Sequence, residues 1–292
     1  MAATRRPERG ACPMESFGAR LNRMTAARGP LCVGIDPHAT LLERWGLTND
    51  IEGLTRFSET VVEALGDRVA VFKPQSAFYE QFGSKGLAVL ESIIRQLREA
   101  GSLVLLDVKR GDIGSTVAAY ATAYLDPSSR CMSTRSPPAR SSASDRWLRC
   151  SSSRRRMAAA FFVLALTSNP EGRSVQHAVA ADGRTVAQTV IDEISQVNAG
   201  VAPIGSMGLV VGATVGDTGH DLSRVNGPLL APGLGAQGGT ARDLRTVFGS
   251  AIGSVLPTYS REVLGKGPEI AGLRAAADRA LDDVRAALSA AS

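Results

Sequence analysis

The sequence lacks any hydrophobic run long enough to cross a bilayer, and its N-terminus lacks the apolar segment of a secretory signal. A membrane-spanning helix needs about 20 mostly apolar residues. Residues 1–13 contain three arginines, but no apolar stretch follows them. We therefore expect a cytoplasmic protein that has no membrane partner.

Cysteine and histidine are also scarce. The four cysteines show neither the spacing of a zinc site nor the density of a disulfide framework. The three histidines are scattered along the chain, at positions 38, 177 and 220. These patterns predict no metal site and favour a protein of a reducing compartment.

Most of the net charge of +5 comes from one tract of the chain. Residues 127–157 contain eight arginines and one aspartate, which together carry +7 and leave −2 for all other residues. The basic balance therefore describes this tract and gives no reason to expect a nucleic-acid partner for the domain. RNA binding by the Arg/Ser-rich tract stays open as an alternative, because basic segments bind phosphate backbones without sequence preference.

The same tract has the apolar period of neither a strand nor a helix. Its ten serines and three prolines suit a disordered basic loop. A second interpretation is translation out of frame, because GC-rich DNA read in the wrong register yields arginine, serine, proline and alanine. With plausible codons, residues 130–137 read from the third base give Leu-His-Val-Asp-Ala-Val-Thr, which resembles a strand. The nucleotide sequence of this region would distinguish the two interpretations.

Outside the tract, seven short apolar runs alternate with amphipathic stretches. The runs cover 31–36, 69–73, 103–109, 161–167, 209–212, 228–232 and 252–256, and the amphipathic stretches cover 51–65, 87–100, 186–198 and 240–247. This alternation favours parallel βαβ units, eight of which close a barrel of about 250 residues.

We therefore predict an α/β fold, a (β/α)8 TIM barrel. One strand-helix unit, at about 127–160, is apparently replaced by the Arg/Ser-rich tract. Residues 15–290 would form this single catalytic domain, after a disordered N-terminal extension over residues 1–14.

Charged residues stand at the ends of the first three predicted strands. Asp36 ends the first, Lys73 ends the second, and Asp107 and Lys109 end the third, with Asp112 in the loop that follows. Because strand residues two apart share a face, Asp107 and Lys109 should both point into the barrel mouth, where the active sites of such barrels lie. Burying charge is costly, so five such groups favour a catalytic site over an ion-pair network.

A glycine-rich loop and an arginine follow the last two predicted strands. Residues 231–239 read Ala-Pro-Gly-Leu-Gly-Ala-Gln-Gly-Gly, and Arg261 opens a helix after the next strand. The backbone amides of such a loop can approach an anion, and a guanidinium can bind phosphate through two hydrogen bonds. Phosphate sites in these barrels often follow strands seven and eight, so this pair predicts one.

Two further strand ends carry small polar side chains. Residues 167–170 read Thr-Ser-Asn-Pro, which suits the recognition of a planar amide such as a pyrimidine, and residues 211–214 end in Thr214. Each of these segments alone is more often a cap or a turn than a ligand contact.

Together these segments resemble the orotidine 5'-monophosphate decarboxylase family, in its longer mycobacterial and actinobacterial subgroup. The matching strings cover 34–38, 72–75, 107–116, 167–172, 232–239 and 260–261. The resemblance runs from about residue 17 to 288 and breaks only across roughly 127–160, where the family has a strand, a Gly-Phe-Gly loop and a helix. Residues before Met14 have no counterpart, so Met14 is an alternative start to Met1.

The resemblance implies a lyase that decarboxylates orotidine 5'-monophosphate (OMP) to UMP in de novo pyrimidine biosynthesis, without metal or cofactor. Lys109 would protonate C6 of the pyrimidine, and Asp107 would crowd the substrate carboxylate. Lys73 would join Lys109 in stabilising the carbanion-like transition state. Asp112 would complete the neighbouring site of a homodimer.

The resemblance also implies the substrate contacts. Asp36 and Lys73 would hold ribose hydroxyls, and Ser168 would contact the base, with Thr214 a weaker candidate. Three residues would bind the 5'-phosphate, namely Gln237, Gly238 and Arg261.

Two other outcomes stay open. A sister activity on the same scaffold, such as a sugar-phosphate decarboxylase or aldolase, would need Mg²⁺ and an acidic ligand in place of Lys73. An inactive or unstable chain of the same family would result if the Arg/Ser-rich tract removes an interior strand, because a barrel that lacks one exposes two strand edges.

Overall fold

Eight parallel strands, paired in sequence order, close into a barrel, so the predicted (β/α)8 class is confirmed. The computed structural model describes residues 15–110, 114–126, 129, 134–135 and 160–289. The strands are β1 Cys32–Ile35, β2 Val71–Pro74, β3 Leu103–Leu106, β4 Thr134–Arg135, β5 Phe161–Leu166, β6 Met207–Val211, β7 Leu229–Ala231 and β8 Val255–Tyr259.

Helices connect the strands. They are α1 Phe17–Arg28, α2 Ala39–Arg44, α3 Ile51–Leu65, α4 Ala77–Glu80, α5 Gly83–Glu99, α6 Gly114–Leu125, α7 Pro170–Gln176, α8 Val186–Asn198, α9 Asp243–Phe248, α10 Arg261–Leu264 and α11 Ile270–Ser289. Among these described helices, none is long and apolar enough to cross a membrane.

The amphipathic stretches at 51–65 and 186–198 form helices with the predicted bounds, α3 and α8. The stretch at 240–247 differs, because both the amide and the hydroxyl of Thr240 donate to Asp243 Oδ2 and the helix begins only at Asp243. A 3-10 helix, Gly249–Ser254, then occupies the start of the last predicted strand, so β8 begins at Val255.

The fourth strand lies inside the Arg/Ser-rich tract. Thr134 and Arg135 pair with Leu105 and Leu106 of β3, and Arg135 also pairs with Phe161 of β5. This two-residue strand closes the barrel at the position where the sequence predicts a gap. The rest of the tract, apart from residues 129 and 160, and the predicted extension over 1–14 lie outside the described residues.

Strand residues alternate between two apolar layers, as the two-residue period of a strand requires. Outward residues such as Val33 and Phe72 pack in the large cluster that includes the helices. Inward residues such as Val71 and Leu105 fill the barrel. Lys73 comes two residues after Val71, and Asp107 comes two residues after Leu105, so both continue the inward-facing rows. The inner row therefore changes from apolar to charged at the C-terminal end of the barrel.

Helix α1 covers the opposite end of the barrel. Its side chains Phe17, Leu21 and Met24 belong to the same apolar cluster as the inward strand residues. The helix begins after Ser16, whose hydroxyl accepts a hydrogen bond from the amide of Ala19 and caps the first turn. One end of the barrel is thus filled by apolar side chains, which leaves the charged end as the open mouth.

Arg28, the last residue of α1, fixes this helix to the barrel. Its Nη1 donates to the carbonyls of Gly66 and Val69 and to Ser102 Oγ, and its Nη2 donates to the carbonyl of Ala100. Gly66 and Ala100 follow the last residues of α3 and α5. A cation at two helix C-termini is stabilised because the helix dipoles carry partial negative charge there.

Replacing Arg28 with alanine should lower the free energy of unfolding by about 2 kcal/mol, since hydrogen bonds from a charged donor contribute about 1.5–3 kcal/mol. Arg23→Ala on the same helix is the matched control. The ion pair of Arg23 with Glu15 is solvent-exposed, so its loss should cost less than about 1 kcal/mol. Urea denaturation measures both variants, and equal losses would contradict the assigned role of Arg28.

Candidate active site

At the ends of β2 and β3, two lysines converge on one aspartate. Asp107 Oδ2 lies 2.6 Å from Lys109 Nζ and 3.7 Å from Lys73 Nζ. The side chains of Asp107 and Lys73 are each only 12% exposed, whereas that of Lys109 is 48% exposed. The structure therefore brings these three predicted site residues together, and Lys109 is the most exposed of them.

The backbone of this segment differs from the sequence prediction. The strand predicted at 103–109 ends at Leu106, and on the β2 side its pairing extends only to the bridge between Gln75 and Asp107, where β2 gives way to α4. Lys109 then adopts a φ of 41°, in the left-handed region that residues other than glycine rarely occupy. Strand alternation alone does not place Lys109, and such strained backbone is concentrated at functional sites.

The charge of Lys73 follows from its surroundings. Burial lowers the pKa of Lys73, but the carboxylates of Asp36 and Asp107 outweigh this effect, and the pKa lies above its ordinary value. Beneath it, burial raises the pKa of the Cys32 thiol to about 12. The site therefore presents a cationic lysine above a neutral thiol at neutral pH.

Asp36, which follows β1, is held by a residue that sequence reasoning missed. Ser260, at the end of β8, donates its hydroxyl proton to Asp36 Oδ2 at 2.6 Å. A Cβ on Gly34 would lie 2.9 Å from the Cβ of Ser260, so the close approach of β1 and β8 requires glycine at this position. The only sequence signal for Ser260 is its place directly before Arg261.

Gln75, which follows β2, is a second residue that the sequence did not single out. Its Nε2 donates to Asp107 Oδ2 at 3.0 Å. Among the described residues, nothing forms a hydrogen bond with Asp107 Oδ1 or with Asp36 Oδ1, although both atoms are buried. Each carboxylate of the site therefore has one oxygen held and the other buried without a protein partner.

A cavity of about 210 Å³ lies beside Asp107 in the barrel mouth. Lys73, Asp107, Lys109 and Thr167 form its polar side. Most of the other lining side chains are apolar and come from inner strand positions, among them Phe162, Leu164, Val210 and Leu230. This lining suits a small planar ligand that has apolar faces and a charged edge.

The polar segment after β5 approaches the cavity through Thr167 rather than through the predicted Ser168. The amide of Thr167 donates to Gln176 Oε1, and Gln176 Nε2 donates to Thr167 Oγ1, at 3.0 and 2.7 Å. Gln176 is buried, so it fixes the start of this loop. Ser168 is exposed beside it, and its backbone lies near Gly212 at the end of β6.

The glycine-rich loop after β7 exposes Gln237 and Gly238 at its tip. Gly233 and Gly238 have φ values of 104° and 92°, which residues other than glycine rarely adopt. The predicted residue Thr214 lies against this loop, because a Cβ on Gly239 would come within 3.1 Å of its Cγ2. The structure thus brings Thr214 to the predicted phosphate loop.

Arg261 opens α10, next to the same loop. A Cβ on Gly235 would lie 2.8 Å from the Cβ of Glu262, so the loop packs against the first turn of α10. The Arg261 side chain is exposed and forms no ion pair with any side chain that the structure describes. The structure therefore sets the start of α10, with its exposed Arg261, beside the glycine-rich loop.

The segment that leads to Asp112 is held at Arg110. Arg110 donates from Nη2 to Glu80 Oε1 and from Nη1 to the carbonyl of Val108, and the Ser76 hydroxyl donates to the same Glu80 oxygen. Burial raises the pKa of Glu80, but these hydrogen bonds and the charge of Arg110 outweigh it, so the pKa lies below its ordinary value. Asp112 itself lies outside the described residues.

Comparison with known proteins identifies relatives over most of the chain. The model of the orotidine 5'-phosphate decarboxylase / HUMPS family matches residues 29–276. Orotidine 5'-phosphate decarboxylase of Salinispora tropica is 68% identical over 279 residues, which cover 94% of this chain and 99% of the relative. The Streptomyces coelicolor enzyme of the same name is 54% identical over 289 residues, covering 95% and 100%.

A solved structure is also similar to this chain over most of its length. The crystal structure of a Streptomyces avermitilis protein assigned as orotidine 5'-phosphate decarboxylase superimposes with a TM-score of 0.90. It shares 54% identity and covers 95% of this chain and 98% of its own.

Glu80→Gln should lower the free energy of unfolding at pH 7 by about 1 kcal/mol, because it removes a charged acceptor from Arg110. The pKa of Glu80 is lowered in the folded state, so its contribution is present above the unfolded value near 4.5 and is lost as pH falls through the lowered value. The difference between variant and wild type should therefore shrink in acid.

Urea midpoints at pH 7 and in acid measure this difference. Glu99→Gln serves as the control, because the Glu99 pair with Arg95 is exposed and contributes little at either pH. A difference for Glu80→Gln that stays constant across the pH range would overturn the assignment.

Proposed function

The chain belongs to the orotidine 5'-phosphate decarboxylase / HUMPS family, and we propose that it converts OMP to UMP and CO₂ in pyrimidine biosynthesis, without metal or cofactor. The observation that carries this proposal is the contact of one buried carboxylate with two lysines beside a small apolar cavity. The reaction needs cations where negative charge develops and a proton donor at the same point.

Lys109 is the proposed proton donor. The bond between C6 and the carboxylate breaks, CO₂ leaves, and the electron pair stays on C6, which takes a proton from the Lys109 ammonium. The amine then regains a proton from solvent, which its exposed position permits. Lys73 is held as a cation by Asp36 and Asp107 and would stabilise the charge that develops on C6.

Asp107 would lie against the carboxylate of bound OMP. Two negative groups in a poorly solvated site repel each other, and the repulsion ends when neutral CO₂ departs. Binding energy from a distant part of the substrate can hold the carboxylate there. We assign that binding to the 5'-phosphate, which Arg261, Gln237 and Gly238 would receive at the other side of the mouth.

The remaining contacts follow the layout of the strand ends. Asp36 and Lys73 would hold ribose hydroxyls, for which the buried Asp36 Oδ1 offers a free acceptor among the described residues. Ser168 would contact the base. Thr214, which lies against the phosphate loop, is better placed for the phosphate side than for the base.

The rival sister activity would use Mg²⁺ and an acidic ligand in place of Lys73. The ammonium of Lys73 lies within 4 Å of the carboxylate of Asp107, so a dication at this point would be repelled. Assay with OMP in the presence of EDTA separates the two functions, because full loss of turnover would favour the metal enzyme.

We further propose a homodimer in the cytoplasm, in which Asp112 of each subunit completes the site of its neighbour. The side chain of Arg110, two residues before Asp112, is held by Glu80, and this contact would limit the movement of the chain that leads to Asp112.

Lys109→Ala should lower turnover of OMP by about 10³-fold or more, because it removes both the proton donor and one cation of the site. The affinity for UMP should fall much less, since UMP needs no proton transfer. Lys85→Ala, at an exposed position of α5, is the matched control and should keep full turnover. Loss of OMP absorbance and UMP titration measure the two effects, and a Lys109→Ala variant with near-normal turnover would refute the assignment.

Mixing Lys109→Ala subunits with Asp112→Ala subunits should restore activity that neither variant has alone. About half of randomly formed dimers are hybrids, and each hybrid has one complete site of two, so recovery should approach about a quarter of the wild-type rate. A mixture that stays as inactive as its components would show that Asp112 serves its own subunit.

A further inference from the structure

Oδ1 of Asp107 is buried and has no hydrogen-bond partner among the residues that the structure describes. Buried polar atoms are normally hydrogen-bonded, and an exception often marks a functional group. The opposite oxygen, Oδ2, is surrounded by Lys109 at 2.6 Å, Gln75 at 3.0 Å and Lys73 at 3.7 Å. The carboxylate is therefore held from one side only, and its other oxygen is turned away from these donors.

We propose that Gln75 is a positioning residue that orients Asp107 so that Oδ1 faces the carboxylate of the bound substrate. This inference rests on the proposed decarboxylase function. Gln75 acts through Asp107 and needs no contact with the substrate itself.

The backbone fixes both partners of this contact. The amide of Asp107 donates to the carbonyl of Pro74, and the amide of Ser76 donates to the carbonyl of Asp107. The amide of Gln75 in turn donates to the carbonyl of Ile35 on β1. Gln75 is thus anchored to β1 while its neighbours on both sides are anchored to Asp107, so its side chain approaches the carboxylate from a defined direction.

The two lysines cannot replace Gln75 during the reaction. Lys109 must turn from Asp107 towards C6 when it delivers its proton. Lys73 lies 3.7 Å from Oδ2, which exceeds the length of a hydrogen bond. Among the described residues, Gln75 is then the donor that still holds Oδ2 at hydrogen-bond distance.

The lack of charge on Gln75 also bears on how Asp107 acts on the substrate. A carboxylate only accepts hydrogen bonds, so the amide nitrogen is the atom that faces it. A neutral amide orients Asp107 without cancelling its negative charge, and that charge is what repels the substrate carboxylate. A third cation at this position would orient Asp107 equally well but would weaken the repulsion.

The test compares Gln75→Met, which has nearly the same shape but no donor, with Gln81→Met as control. Gln81 is exposed, and its side-chain amide donates to the carbonyl of Phe78. For Gln75→Met we expect kcat to fall about 10-fold to 100-fold, since small misplacements of a reacting group have effects of this size. KM for OMP should stay level or fall, because repulsion of the bound substrate is relieved. The Kd of UMP, which has no carboxylate, should not change.

Gln75→Glu is the second variant and keeps the proposal testable if the methionine variant folds poorly. It sets a second carboxylate within hydrogen-bond distance of Asp107, and two such groups share a proton, so the apparent pKa of the pair rises. The acid limb of the kcat profile should therefore move to higher pH. An unchanged profile would count against the proposal.

The outcomes separate this inference from the proposed function. A wild-type chain that does not decarboxylate OMP refutes the proposed function and the inference with it. An active wild type together with a Gln75→Met variant that keeps kcat within about twofold refutes the inference alone. A variant that loses kcat, UMP affinity and Tm together assigns Gln75 a merely structural role, which also overturns the inference.

Discussion

The contact between Asp107 and the ammonium of Lys109 is the interaction on which the rest of the site depends. A carboxylate that is only 12% exposed is costly to bury, and the two lysines and Gln75 offset that cost. The arrangement requires β2 and β3 to end at the same level, which the bridge between Gln75 and Asp107 ensures. It also requires the left-handed turn at Lys109, since an extended backbone would direct this side chain elsewhere.

The two ends of the site are built by different means. The reacting end uses side chains on strand ends, held by parallel pairing of β1, β2 and β3. The proposed phosphate end uses backbone of a glycine-rich loop and the exposed guanidinium of Arg261. The strand-end side chains are thus rigid where small displacements would alter the proposed reaction. The loop and the Arg261 side chain are more adaptable and lie where a charged group needs only to be bound.

Much of this could be predicted from the sequence, because the evidence for it is local. The apolar runs and their alternation with helices predict the barrel, and the charged residues at the strand ends predict a site at its mouth. The contact of Lys109 with Asp107 does not follow from their spacing, because the strand ends at Leu106 and Lys109 is left-handed. Gln75 and Ser260 were missed because their roles depend on contacts between strands, which no sequence spacing records. The end of β3 at Leu106 was missed for a similar reason, since the extent of a strand depends on pairing with its neighbours. Strand β4 escaped prediction because two residues are too few to show a period.

The position of β4 in the wall has a consequence for how the barrel tolerates disturbance. The proposed site residues that the structure describes, from Asp36 to Arg261, follow the ends of β1, β2, β3, β5, β6, β7 and β8. These seven strands pair without interruption, from β5 through β8 to β1 and on to β3. The two described residues of β4 therefore include none of the proposed site residues. If the wall parted at β4, the remaining strands would form a continuous curved sheet that still holds the two lysines, the two carboxylates and the glycine-rich loop side by side.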